Sequence, residues 1–140
     1  MSLSKFSFNA PLRLALVCSM TGALVCASAM AAGLPVIEGE VTFSKDIAPI
    51  LQRSCQNCHQ PDAAAPMSLL TYSQVRPWAK TIKARTLIRD KQGVMPPWFV
   101  EKDFGIQHFK NDPSLSDMDL AKISKWADSG APEGNPSLYN

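Results

Sequence analysis

Residues 55–59 read CQNCH, and no other stretch constrains the chain as strongly. Two cysteines stand three positions apart, and a histidine follows the second directly. Proteins use such a set in three ways: as part of a structural zinc site, as a redox-active thiol pair, or as the attachment point of a covalently bound haem. The residues around the pentapeptide favour one of these three.

A zinc site requires four protein ligands, usually with a second Cys or His pair further along the chain. Beyond CQNCH, the part of the chain after residue 32 offers only His108 as a further ligand. A thioredoxin-like thiol pair requires a βαβ setting, and no strand-like alternation follows Cys58. C-x-x-C-H is itself the signature of c-type haem attachment, because both thiols reach the vinyl groups of one porphyrin edge while His59 binds the iron. The sequence therefore favours one covalently bound haem c held by Cys55, Cys58 and His59.

The first 32 residues have the pattern of an export signal. Lys5 and Arg13 precede an apolar run at 14–25, and small residues follow up to a predicted cleavage site near residue 32. An uncleaved membrane anchor is the alternative, although the segment is only weakly hydrophobic. The signal predicts a periplasmic or otherwise exported bacterial protein, with membrane contact only if the segment stays uncleaved. Export agrees with haem attachment, which takes place outside the cytoplasm.

Removal of the leader changes both the charge and the cysteine count. Without Lys5 and Arg13, the 14 basic residues fall to 12, which equals the 12 acidic residues, so nothing indicates nucleic-acid binding. Cys18 and Cys26 leave with the leader, so no disulfide framework remains. The predicted organisation is a short segment at 33–41, a haem domain at 42–136 and a tail at 137–140. A domain this small buries little core, and a large apolar cofactor would stabilise it.

The mature chain resembles the small monohaem cytochromes c of class I, over about residues 41–136. Two stretches carry the resemblance: CQNCH and the downstream loop GVMPPWF at 93–99. The resemblance implies an all-α domain wrapped around one haem. Such a protein carries single electrons between redox proteins, as a free carrier or as the cytochrome subunit of a redox complex, and is not itself an enzyme. The resemblance also implies that a proline carbonyl accepts a hydrogen bond from the proximal imidazole, and Pro66 is the matching position.

The loop at 93–99 predicts the second axial ligand of the iron. Gly93 and the pair Pro96-Pro97 enforce a turn that neither helix nor strand continues through, and this turn displays Met95 on a rigid loop. The separation of Met95 from His59 is one that class I cytochromes use. The rival ligands are His108, Met67 and Met118, and an open distal position is the remaining alternative.

Three helices are predicted. The first spans 41–55, with Ser44 as N-cap and an apolar face formed by Ile47, Ile50 and Leu51. The second spans 74–92 and directs four positions toward the core: Val75, Trp78, Ile82 and Leu87 or Ile88.

The last helix begins at a capping box of Ser116 and Asp119 and ends near Gly130. Its apolar stripe contains Leu120, Ile123, Trp126 and Ala127. The residues after Pro132 are predicted to be exposed and frayed. The segment 100–115 is predicted to be irregular and to cover one side of the domain.

Further site residues are predicted with less support from the pattern. Residues expected to pack on the haem or to bond its propionates are Pro66, Met67, Arg76, Trp78 and Trp98. Basic residues expected to steer an acidic redox partner, as donor or acceptor, are Lys80, Lys83, Arg85 and Arg89. The alternative function is a haem enzyme or sensor whose distal site is open or exchangeable.

Overall fold

In the computed structural model, the described residues are 33–89, 91–100, 104–105 and 108–139, and every regular element among them is helical. The predicted all-α class is confirmed for these ranges at that level, with no strand in them. The predicted leader at 1–32 lies outside the described residues. Within the described part of the chain, no helix has the length and apolar character needed to cross a membrane.

The first helical segment is confirmed near its predicted position. A π-helical turn, Phe43–Ile47, leads directly into helix α1, Ala48–Ser54. Pro49 lies in the first turn of α1, where its missing N–H costs no hydrogen bond. The predicted face of Ile47, Ile50 and Leu51 is buried, as the i, i+3, i+4 spacing requires.

The N-cap prediction for this segment was wrong. Thr42 occupies the N-cap position, and the amide groups of Phe43 and Ser44 donate to the carbonyl oxygens of Pro132 and Glu133, both at 2.9 Å. The hydroxyl of Ser44 also donates to the Glu133 carbonyl at 2.7 Å. The first N–H groups of a helix need acceptors, and here a distant backbone segment supplies them in place of a local side chain.

The middle helical region is shorter and less regular than predicted. Helix α2, Tyr72–Val75, begins two residues early with a capping box of Thr71 and Gln74. A 3₁₀ turn, Arg76–Trp78, connects it to helix α3, Ala79–Thr86, which ends well before residue 92. Pro77 lacks the N–H that an uninterrupted α-helix would use at this point, so the backbone tightens into the 3₁₀ turn.

This interruption changes which side chains reach the core. Val75 and Ile82 are buried as predicted, whereas Leu87 and Ile88 lie in a turn and are only partly buried. Trp78 was predicted to be buried and is instead 40% exposed. The tighter rotation of the 3₁₀ turn moves Trp78 away from the apolar face that a continuous helix would have formed.

The last helix agrees closely with the sequence. Helix α4, Asp117–Asp128, begins at the predicted capping box of Ser116 and Asp119 and is followed by Gly130 at φ +88°. The stripe of buried side chains is the predicted one: Leu120, Ile123, Trp126 and Ala127. Helix α4 packs on α3 and on the π turn of the first segment.

The chain after Pro132 is not frayed throughout, in contrast to the prediction. A 3₁₀ turn, Pro136–Leu138, brings Tyr139 against Phe43, with ring centroids 4.8 Å apart in an edge-to-face arrangement. Tyr72 and Trp126 contact the same phenylalanine ring from other sides. Phe43 is fully buried, so this aromatic cluster joins the two ends of the described domain.

A glycine pair tests the contact between the C-terminal segment and the first helical segment. A Cβ at Gly134, where φ is +77°, would lie 2.6 Å from the Cβ of Thr42. Gly39 has a similar φ of +73° and open space around it. We expect Gly134→Ala to lower the free energy of unfolding by about 1–3 kcal/mol more than Gly39→Ala, because only the former adds an overlap to the backbone cost. Urea denaturation followed by circular dichroism measures both; equal losses would contradict the close contact.

Candidate functional site

The CQNCH segment extends helix α1 by one irregular turn. The amide groups of Cys55 and Gln56 both donate to the carbonyl of Leu51, at 2.8 and 2.9 Å. The amides of Cys58 and His59 then donate to the carbonyl of Cys55, at 3.2 and 3.0 Å. These local bonds fold the segment back on itself, so that Cys55, Cys58 and His59 all line one cavity.

The imidazole of His59 is nearly buried and its orientation is set by the loop that follows it. Nδ1 lies 3.2 Å from the carbonyl oxygen of Met67. A carbonyl oxygen only accepts, so this bond requires the proton on Nδ1 and leaves the lone pair of Nε2 free to bind a metal. The predicted acceptor was Pro66, one residue earlier. The amide of Leu69 donates to the His59 carbonyl at 2.9 Å. This bond holds the loop in place, so that the Met67 carbonyl lies next to the imidazole ring.

The two cysteines differ in their surroundings. Both are free thiols; Cys58 is exposed and Cys55 is partly buried. Burial raises the pKa of the Cys55 thiol from its ordinary value of 9.0 to about 11, against a smaller opposing effect of the nearby Arg53 charge. The Cys55 sulfur therefore lies where an uncharged form is favoured, and a thioether is such a form.

Met95 lies later in the chain and lines the same cavity. Its amide donates to the carbonyl of Arg85 at 3.2 Å, which ties the loop to the last turn of α3. Gly93 enters this loop at φ +90°, and Trp98 closes it with a bond of 2.8 Å to the Pro96 carbonyl. The Met95 side chain is 40% exposed and contributes to the cavity wall together with His59.

The cavity has two lobes. The first lobe, of about 290 Å³, contains Cys58, Ala64, Ala65 and Pro97 in its wall. The second lobe, of about 350 Å³, is lined by residues that include Leu69, Thr81, Ile82 and Arg85. Residues that line both lobes are Cys55, His59, Pro66 and Met95. Cys55, His59 and Met95 therefore lie in the wall common to both lobes, and the surrounding walls are mainly apolar.

Arg85, predicted as an exposed docking residue, is exposed and also lines the second lobe, which the sequence did not predict. Its guanidinium lies beside Gly93, whose added Cβ would be 3.1 Å from Nη1, and it makes no ion pair within the described ranges. Arg85 therefore brings an uncompensated positive charge to the second lobe. No local pattern in the sequence indicates this, because the position depends on how α3 meets the loop of Met95.

The other predicted haem contacts are divided between the cavity and the surface. Pro66 and Met67 line the cavity. Trp98 lies next to the first lobe, in an adjoining pocket. Arg76 and Trp78, predicted to bond haem propionates, are exposed and line none of the cavities found in the described part of the chain.

Two of the three rival axial ligands, His108 and Met118, do not line the cavity. His108 is exposed, and Met118 is 46% exposed on the first turn of α4. Neither residue lines either lobe. Met67 does line the second lobe, but it belongs to the His59 side of the cavity because its own carbonyl bonds the imidazole. Among the described residues, no three His, Cys, Asp or Glu side chains cluster closely enough to hold a metal ion.

Two of the predicted docking residues are engaged in ion pairs. Lys83 pairs with Asp128 at 2.6 Å, and Arg89 pairs with Asp117 at 2.8 Å. Lys80 is exposed and Arg85 lines the cavity. The basic stretch therefore presents less positive charge to solvent than its composition predicts, since α4 neutralises part of it.

Comparisons with known proteins add no functional assignment to this geometry. No family model matches the chain, and no curated protein or solved structure matches it either. The arrangement of His59, Met95 and the two cysteines around one cavity is thus the basis for the functional conclusion.

The unequal burial of the two cysteines gives a prediction for the chain before haem is attached to it. With its pKa raised from 9.0 to about 11, Cys55 carries on the order of a hundredfold less thiolate at neutral pH. We therefore expect iodoacetamide to modify Cys58→Ser, which retains Cys55, much more slowly than Cys55→Ser, which retains Cys58. The Cys55 rate should rise as the pH approaches 11. Mass spectrometry follows both rates, and in concentrated urea they should become equal; equal rates in buffer would contradict the buried position.

Proposed function

We propose that this chain is a monohaem c-type cytochrome of the class I kind, exported to the periplasm, that carries single electrons between redox proteins. One observation carries the proposal: the two cysteines and the histidine of CQNCH line the same cavity as Met95. The motif alone indicates attachment of a haem. A methionine in the wall of the same cavity indicates a second iron ligand, which would leave no open coordination position and would favour electron transfer.

The residues present fit a covalently held haem. The two lobes, of about 290 and 350 Å³, share four wall residues and have mainly apolar walls, as a porphyrin requires. Cys55 and Cys58 are free thiols on that wall, and His59 keeps its Nε2 lone pair available because Nδ1 bonds Met67. When bound, a haem supplies an iron that alternates between the ferrous and ferric states.

The protein groups would keep this iron closed to other ligands. His59 cannot rotate freely, because its ring is buried and its Nδ1 is held by a backbone carbonyl. Met95 is displayed by a loop whose backbone is bonded to α3. A histidine and a methionine together leave no coordination position for substrate and raise the reduction potential relative to two imidazoles. Electron transfer is therefore favoured over catalysis.

Arg85 is our candidate partner for a haem propionate, in place of Arg76 and Trp78. The propionates lie on the side of a porphyrin opposite the vinyl groups that the cysteines attack. Cys55 lines both lobes, Cys58 lines only the first and Arg85 lines only the second, so the Arg85 charge stands in the lobe away from Cys58. Pairing with a carboxylate would also stabilise the guanidinium, which finds no anion among the described residues.

The donor and the acceptor are proposed to be redox proteins with acidic docking surfaces. Lys80 is exposed on α3, whereas Lys83 and Arg89 are already paired with aspartates of α4. Lys80 is therefore the member of the predicted cluster best placed to act in long-range attraction, which depends on uncompensated charge.

Covalent attachment is the central test of the proposal. The full-length chain should be produced in a bacterium that attaches haem to exported proteins, and then denatured. We expect the pigment to stay with the polypeptide in acidified acetone, and the mature protein to begin near residue 33 and to be recovered from the periplasm. Cys55→Ser and Cys58→Ser should each retain one thioether at most. A colourless product, or pigment released from the unaltered chain, would overturn the proposal.

Substitution of Met95 tests the closed iron site. If Met95 is the axial ligand, Met95→Ala removes the weak absorption band near about 695 nm that marks methionine ligation in the oxidised protein. The reduction potential should fall, because the thioether favours ferrous iron, while the haem stays attached. Met118→Ala, on the exposed face of α4, is the matched control and should leave the spectrum unchanged. Absence of the band in the unaltered protein would favour an enzyme or sensor with an open distal site.

Substitution of Arg85 tests the propionate partner. A nearby arginine lowers the pKa of a carboxyl group by about 1–3 units, so the propionate stays ionised and the potential should vary little from pH 5 to 8. In Arg85→Gln the carboxyl pKa rises, and we expect a potential that decreases as the pH increases through that range. Arg76→Gln removes the same charge from an exposed position. Redox titration at several pH values distinguishes the two variants; identical behaviour would exclude the Arg85 pairing.

A further inference from the structure

The stretch 91–99, which displays Met95, has one hydrogen bond to the rest of the described chain. This is the bond from the Met95 amide to the Arg85 carbonyl, at 3.2 Å. The Met95 side chain gives little further support, since the residue is 40% exposed. A thioether is a weak ligand, and such a ligand must be held in place by the packing of the residues around it. The packed neighbours of Met95 therefore decide how firmly it can serve as the proposed iron ligand.

Val94 and Trp98, on either side of Met95, are packed against the rest of the domain. Val94 is only 6% exposed, and Trp98 is partly buried against Phe109, with ring centroids 6.1 Å apart in an edge-to-face arrangement. Both residues line a cavity of about 180 Å³ together with Leu120 of α4. Met95 does not line this cavity and lines the two lobes instead. The chain is thus anchored on the α4 side both before and after Met95.

Packing, and not a hydrogen bond, holds the indole of Trp98. Its Nε1 is buried and has no acceptor among the described residues. A buried donor without a partner costs about 1–3 kcal/mol, so the contacts of the aromatic rings must outweigh that cost. Trp126 differs, because its indole donates to the Pro132 carbonyl at 3.0 Å. Trp98 lines neither lobe, so its packing supports the loop and not the wall of the haem site.

The two prolines between Met95 and Trp98 transmit this anchoring. A proline fixes its own φ at about −65° and restricts the ψ of the residue before it. These limits apply in succession to Met95, Pro96 and Pro97. The Trp98 amide closes the link with a bond of 2.8 Å to the Pro96 carbonyl. A displacement of the indole therefore moves the Met95 backbone with it.

We infer that Trp98 is a positioning residue for the distal ligand: its packed indole, acting through Pro96 and Pro97, holds the Met95 thioether in the wall of the cavity. Val94 anchors the chain where it enters this stretch, and Trp98 anchors it where it leaves. The inference rests on the proposed function for the role of Met95 as a ligand, whereas the packing and the proline link are properties of the chain itself.

Competition with imidazole measures how firmly Met95 keeps its position. In the oxidised holoprotein, imidazole can bind only to molecules whose methionine has left the iron, so its apparent affinity reports that fraction. We expect Trp98→Ala to bind imidazole about tenfold more tightly than the unaltered protein, toward the affinity of Met95→Ala. Trp98→Phe should bind like the unaltered protein, because it keeps a packed ring and loses only an N–H without a partner. Phe99→Ala, which removes a neighbouring ring that is 62% exposed, is the matched control and should have no effect.

An unchanged imidazole affinity in Trp98→Ala would overturn the inference, and so would a Trp98→Phe variant that binds as tightly as Trp98→Ala. Pro97→Gly gives a second measurement if Trp98→Ala does not fold. It keeps the indole but frees the link, so imidazole should again bind more tightly than in the unaltered protein. The same affinity in both would show that the indole does not act through the prolines.

Amide hydrogen exchange tests the coupling without reference to the iron. In the purified protein, labelled with ¹⁵N, we expect the Met95 amide to exchange about tenfold faster in Trp98→Ala, because its bond to Arg85 opens more often. The Leu69 amide, which donates to the His59 carbonyl at 2.9 Å, should keep its rate. Equal acceleration of both amides would show a general loss of stability and would contradict the positioning role.

The haem content of each sample separates this result from the proposed function. A protein that carries covalent haem but shows neither effect contradicts only the role of Trp98. A colourless protein in which Trp98→Ala still frees the Met95 amide contradicts only the cytochrome assignment.

Discussion

The backbone carbonyls of Pro132 and Glu133 form the junction on which the rest of the structure depends. They accept the first amide groups of the initial helical segment, from Phe43 and Ser44, and the Pro132 carbonyl also accepts the indole of Trp126. Phe43, Ser44 and Trp126 are buried, so the loss of their acceptors would leave buried donors unsatisfied. The junction therefore fixes the start of the first segment against α4, and the direction of α1 determines where CQNCH begins.

From that junction, two independent sets of bonds position the two sides of the cavity. On one side, short-range contacts to the loop after CQNCH orient His59 through the Met67 carbonyl. On the other side, Met95 is held by the carbonyl of Arg85, at the end of a helix that packs on α4. Helix α4 is thus the common support of both sides. Arg85 has two roles, because its backbone holds the methionine loop and its side chain lines the second lobe.

The ion pairs fix the orientation of the neighbouring helices against α4 more than they add to the stability of the fold. Arg53 with Asp119 and Lys122 with Asp46 join the first segment to α4, at 2.9 and 3.3 Å. Pairs at the surface contribute only about 0–1 kcal/mol each, because solvent screens them. Their larger effect is on the electrostatic surface, since the aspartates of α4 neutralise basic side chains of the neighbouring segments. Arg85 has no ion pair among the described residues and lines the second lobe, so its charge is available at the cavity.

Several features could be predicted from the sequence because they depend on local interactions. The capping box of Ser116 and Asp119, the apolar stripe of α4 and the spacing within CQNCH all involve residues within a few positions of one another, so their geometry follows from helix periodicity. Interactions between distant residues could not be read in this way. Ser44 bonds Glu133, 89 residues away. The imidazole bonds Met67 and not Pro66. Trp78 lies in a 3₁₀ turn with Pro77 and is exposed, and the exposed Arg85 also lines the second lobe. These outcomes depend on how preformed segments pack, because packing selects among several acceptors and faces that are equivalent at the level of the local chain.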